Sequence, residues 1–138
     1  MNAPTTCPPP GICLRARYIE TRDGDTQVFQ VQGTASLVAI RLLDCWCPEI
    51  SRGDEASRKV GRAAKQFAHE RLFAADPGDI RIWVPFSEVV KDEVLDVFKL
   101  FTFDRVLGHV FIGPSQTLNR MLVANGLAST TKDGVLGK

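Results

Sequence analysis

Leu37-Val38-Ala39-Ile40-Arg41-Leu42-Leu43-Asp44, running on through Cys45-Trp46-Cys47 to Pro48-Glu49, is the stretch on which the fold turns. Its first part is apolar at odd and even positions alike, apart from Arg41, so the spacing predicts a strand covered on both faces from Leu37 to about Asp44. A guanidinium among buried strand residues keeps its proton and costs several kcal/mol unless an anion meets it. Eight residues on, just past the strand-ending proline, Glu49 is a candidate for that anion. Arg41 is then readable in two ways, as half of a closed ion pair with Glu49 or as a fork that awaits a ligand.

Upstream, Leu14, Ala16 and Tyr18 alternate into Asp23-Gly24, a two-residue hairpin signal. A returning strand through Val28 and Val31 reaches a second turn at Gly33, so three antiparallel strands make a meander. Downstream, Ser51-Arg52-Gly53-Asp54 forms a loop, and Asp54 with Glu55 suits a helix N-terminus. From Glu55 to Ala75 the residues Val60, Ala64, Phe67, Ala68 and Leu72 keep helical spacing, and Arg58, Lys59, Arg62 and Lys65 read as a solvated face.

Ile80, Ile82 and Val84 alternate as a fourth strand. Residues 87–96 suggest a short helix or a protruding hairpin. Phe98 to Ile112 reads as one or two further strands, with Arg105, Leu107, His109 and Phe111 on one face. Ser115 or Thr117 then caps a short helix through Leu118, Met121 and Leu122, which Asn125-Gly126 stops. The expected fold class is mainly β with helices (α+β): a five-stranded OB-type barrel with a long helix after the third strand and a short C-terminal one. Residues 1–12, with four prolines, are expected as an extended tail, 13–130 as the domain and 131–138 as a flexible end.

The net charge of +1, from 17 basic and 16 acidic residues, excludes a protein that coats duplex DNA by neutralising many phosphates. Any nucleic-acid contact is expected to be local. No apolar run suggests a membrane span and no secretory leader is evident, so the expectation is an intracellular protein without a membrane partner. Cys7, Cys13, Cys45 and Cys47 read as reduced thiols, their spacings matching no common zinc pattern. Trp46 reads as core packing or as a platform for a base. His109 reads as half-buried in a polar contact, and His69 as exposed on its helix.

From about Tyr18 to Ser129 the chain resembles the staphylococcal-nuclease (thermonuclease) family. The resemblance is carried, in family order, by Asp23-Gly24-Asp25-Thr26, Arg41-Leu42 with Pro48-Glu49, the helix opening at Asp54-Glu55-Ala56, Arg105-Val106-Leu107-Gly108-His109-Val110, and Leu118-Asn119-Arg120 through Gly126-Leu127-Ala128. It implies a calcium-dependent phosphodiesterase acting on single-stranded DNA or RNA. Arg41 and Arg105 would bind phosphate, Glu49 would position or deprotonate water, and Asp25 and the Cys47 carbonyl would hold Ca2+. Two forks aimed at a phosphoryl group stabilise the charge it gains as a nucleophile adds. A carboxylate beside water orients it or takes its proton. The chain departs from the pattern where Trp46 stands in place of a second metal-binding aspartate, with Asp44 two residues upstream as a possible substitute. Two functions are therefore expected to compete: a nuclease with a reduced metal site, and a weak or inactive module that binds nucleic acid or protein.

Overall fold

The strand that opens the domain, β1 (Gly11–Asp23), serves both sides of a closed barrel. Its first residues, Gly11 to Arg15, pair antiparallel with β4 (Ile80–Pro85), and Ala16 to Asp23 pair antiparallel with β2 (Thr26–Val31). Register shifts at Tyr18/Glu20 and Thr21/Asp23 mark bulges, which bend a long strand enough to curl it round a barrel. The computed structural model describes residues 10–91, 94–95 and 105–132, with 91, 94, 95 and 105 described by backbone alone.

The expected meander is present, with β3 spanning Leu37–Leu42 and paired to β2. The barrel closes through β7 (Arg105–Ile112), which runs parallel to β3 and antiparallel to β4, giving the order β1-β2-β3-β7-β4. The stretch expected as a short helix or hairpin is a 3-10 turn over Phe86–Glu88 followed by a two-stranded ladder, β5 (Val90–Lys91) with β6 (Val94–Leu95). The strand expected from Phe98 is described from Arg105 onward. Gly11 and Ile12, assigned from sequence to the tail, already pair with Pro85 and Val84.

Helix α1 (Glu55–Ala74) begins where an acidic cap was expected, with the Asp54 carboxylate accepting from Ser57 N at 2.8 Å. Its inward face is made of small residues, Gly61, Ala64 and Ala68, together with Leu72. A Cβ at Gly61 would sit 2.6 Å from the Pro48 carbonyl oxygen, so glycine is what lets α1 lie against the loop that carries Glu49. Arg58 and Arg62 both reach Glu55, in agreement with a solvated basic face. Helix α2 (Leu118–Ala124) is capped by Thr117, whose hydroxyl accepts from Arg120 N.

The barrel interior is filled by Phe29, Val38, Ile40, Leu42, Ile80, Ile82, Val84, Val106 and Val110, closed at one end by Ala64, Ala68 and Leu72 of α1 and by Leu118 and Leu122 of α2. Burying a side chain such as Phe29 or Ile40 stabilises by about 1.5–3 kcal/mol. In β3 the interior positions are Val38, Ile40 and Leu42, which puts Ala39 and Arg41 on the outer side of the barrel wall. No helix among the described residues is long and apolar enough to cross a membrane.

Candidate functional site

Arg41 is 7% exposed and Asp25 9%, and register explains why they meet. Thr26 pairs with Arg41 across β2 and β3, so the residue just before Thr26 falls beside the guanidinium. The Arg41 Nη2 lies 3.6 Å from Asp25 Oδ2. Arg41 Nη1 donates to the Leu42 carbonyl and, at 2.8 Å, to the Cys45 carbonyl, while Nη2 has no hydrogen-bond acceptor among the described residues. The anion that meets Arg41 is thus Asp25 and not Glu49. Glu49 stands exposed on the following loop, its carboxylate 3.5 Å from Arg52 Nε.

The Cys45-Trp46-Cys47 segment wraps this pair. Its middle ring lies over the guanidinium, with the Arg41 carbon 4.0 Å from the Trp46 centroid, and Lys132 Nζ is 5.8 Å from the same centroid. Backbone hydrogen bonds between Trp46 and Ser129 fix the segment against the end of the chain. Cys47 N donates to Asp25 Oδ2 at 2.9 Å. Burial pushes the Asp25 carboxyl up, and the Cys47 N–H and the Arg41 charge pull it back in part. Both thiols are free and buried, and that of Cys47 is pushed far up, first by its bond with the Cys45 thiol and then by burial. A thiol held protonated in this way, as that of Cys47 is, is a poor nucleophile and a poor metal ligand.

Gly24 was read from sequence as a turn residue, and its role is closer to the site. A Cβ there would fall 2.6 Å from Ala64 Cβ and 2.9 Å from Cys47 Sγ. The glycine brings the Asp25 turn down onto α1 and the Cys47 loop together.

Position 105 opens β7 opposite Ala39 and keeps strand parity with Leu107 and His109. Leu107 pairs with Arg41, so β7 continues the outer wall next to the Arg41 pair. His109 is half-buried beside a cavity of about 650 Å³ that it lines with Asp44, Phe111 and Arg120. Asp44 adopts φ 51°, a left-handed conformation that aspartate tolerates, and faces this cavity rather than the Asp25 carboxylate. Burial lowers the pKa of His109 from 6.5, with Asp44 opposing and Arg120 adding to the shift. The folded state therefore binds the proton less well than the unfolded chain, and stability is lost as pH falls below about 6.5 toward the lowered value. His109→Gln should flatten that part of a urea-midpoint profile. An unchanged slope between pH 7 and 5 would show that the imidazole is solvated.

A divalent cation held as the resemblance implies needs six or more oxygen ligands. The site offers Asp25 and the Cys47 carbonyl, and the second carboxylate position is an indole stacked on an arginine. One oxygen of the Asp25 carboxylate, Oδ2, already takes the Cys47 N–H and lies beside the Arg41 charge. Among the described residues no group of three or more His, Cys, Asp or Glu is gathered. The residues present do not fit calcium.

No family model and no curated protein matches this chain. It is a five-stranded mixed barrel. The helix after β3 and the short helix at the end make it compatible with the OB fold.

Sequence reasoning missed Asn119 as an organising residue. Its buried amide oxygen accepts from Val110 N at 3.0 Å, and its Nδ2 donates to the carbonyls of Leu43 and Gly108 at 2.8 and 3.2 Å. A lone buried asparagine in a helical run is the signal that was there to be read. It also missed the Tyr18 hydroxyl, which meets both Thr21 Oγ1 and the exposed His69 Nδ1.

Proposed function

We propose that this chain is a staphylococcal-nuclease-like barrel that binds single-stranded DNA or RNA without depending on a divalent cation. The observation that carries the reading is the Trp46 ring on the Arg41 guanidinium, whose charge faces the Asp25 carboxylate. Trp46 is partly exposed and has a lysine beyond its ring, which suits stacking of a base with a phosphate nearby. The near-zero net charge agrees with contacts of this local kind. Hydrolysis at the same site would need a cation to displace Arg41 from Asp25 and Glu49 to leave Arg52. Those rearrangements make it the weaker reading.

Fluorescence anisotropy with a labelled single-stranded oligonucleotide tests the proposal. Binding should persist in chelator, weaken on Arg105→Ala, and fall by about tenfold on Trp46→Ala, the stacking of one base being worth roughly 1–3 kcal/mol. Cleavage in calcium, magnesium or manganese above a Glu49→Gln control would replace this reading with the hydrolytic one. Binding that vanishes with chelator would do the same.

A further inference from the structure

At the other end of β2 from Asp25 a second polar hollow opens, and nothing in the Arg41 reading accounts for it. Arg15 and Arg17 project from the outer face of β1, on either side of the inward-facing Ala16. Two residues apart on one strand face, they are separated by roughly 7 Å along the chain. Beside them is a cavity of about 350 Å³, closed by the turn at Gly33-Thr34 and by Pro77-Gly78.

Exposed arginines on a strand are ordinarily solvated and mobile. Arg17 is held. It stands in register opposite Gln30, and its Nη2 donates to Gln30 Oε1 at 2.9 Å. The other end of that amide, Nε2, donates to the Thr34 carbonyl at 2.9 Å. Thr34 is itself fixed, its hydroxyl donating to the Val31 carbonyl and accepting from Ser36 N. The relay spends the glutamine on both sides and, among the described residues, leaves the remaining guanidinium donors of Arg17 without an acceptor. No carboxylate is among the described residues that line the hollow. Asp76, next in sequence to one wall, is turned onto Gly78 N at 2.9 Å.

Two guanidinium groups, one of them oriented in advance, beside a hollow with no lining acid among the described residues form a receptor for a compact dianion. We infer that this hollow binds a phosphoryl monoester, with Arg15 and Arg17 as its ligands and Gln30 as the residue that positions Arg17. The volume accommodates the phosphate together with part of the group that bears it. The site is independent of Trp46 and Arg41, so it stands whether or not the proposed function does.

The test is an amide NMR titration of the full chain at constant ionic strength, with three probes: inorganic phosphate, a 5′-phosphorylated dinucleotide and its 5′-hydroxyl counterpart. Saturable shifts are expected at residues 15–17 and 30–34 with the first two probes, and binding at least about tenfold weaker with the third. Arg17→Ala should weaken phosphate binding about tenfold or more, the scale of a lost charge-assisted hydrogen bond. Gln30→Ala should weaken it less, and should add nothing once Arg17 is gone. No saturable shift with phosphate, or equal binding by the Arg17→Ala protein, overturns the site. Equal binding of the two dinucleotides overturns the monoester assignment. Additive losses from positions 17 and 30 overturn the positioning role.

Discussion

Arg41→Ala should cost the domain about 3–5 kcal/mol, the range for removing one partner of a buried pair. The loss is large because Asp25 would keep its burial and its Cys47 N–H while the balancing charge disappeared. The carbonyls of Leu42 and Cys45 would lose their donor as well. For a chain of this length such a change lowers the thermal midpoint by about 10 °C or more. The deficit should depend on pH. Burial already raises the Asp25 carboxyl above its ordinary value, and without Arg41 it rises further. The penalty is present in full above the raised pKa and fades as pH falls through it toward 3.8, because the folded protein then takes up the proton. Urea unfolding at pH 7 and pH 4.5 would read both effects. A deficit under about 1 kcal/mol, or one indifferent to pH, means that water reaches Asp25 and the pair is a surface one.

Asn119→Ala should be nearly as damaging, at about 3 kcal/mol. Pairing of β3 with β7 ends at Leu42 and Gly108, and from there the Asn119 amide takes over, accepting from Val110 N and donating to two carbonyls. The Gly108 carbonyl would keep the Leu43 N–H, but truncation takes the side-chain partner from Val110 N and the Leu43 carbonyl, each worth about 1–3 kcal/mol if left unpaired. Asn119→Asp separates the amide's two roles, since it keeps the acceptor but sets a carboxylate against two carbonyl oxygens. It should be worse than alanine at neutral pH and improve in acid. If both variants unfold at the wild-type denaturant midpoint, the amide contributes nothing that water does not replace.

What could be read along the chain was whatever local chemistry dictates. Asp54 and Thr117 cap the helices they precede, Asp23-Gly24 turns, and alternation places Ile80, Ile82 and Val84 on one face of β4. Arg41 was recognisable as a buried charge in need of an anion. Its partner was not, because a spacing of eight residues to Glu49 is a distance along the chain, whereas Asp25 is brought in by the register of two strands. The purpose of Gly24 was hidden for a related reason. The contact that demands a glycine there comes from Ala64 and Cys47, both remote in sequence. Arg15 and Arg17 carried no signal at all, since the relay that distinguishes Arg17 from a solvated arginine runs through Gln30 and Thr34 on the neighbouring strand. Trp46 was legible as a departure from a family pattern, and its position over Arg41 required the fold.

The closure of the barrel, through the parallel pairing of β3 with β7 and the antiparallel pairing of β1 with β4, sets the contact order of the molecule. The meander β1-β2-β3 joins neighbours in sequence, but closing the barrel takes two long-range seams, β3 with β7 (Ala39 to Arg105, 66 positions apart, 105 − 39) and β1 with β4 (Gly11 to Pro85, 74 positions apart, 85 − 11). Closing a chain segment of that length costs about 4 kcal/mol of entropy, which no nearest-neighbour turn repays. The hairpins are therefore expected to form first and these two seams later.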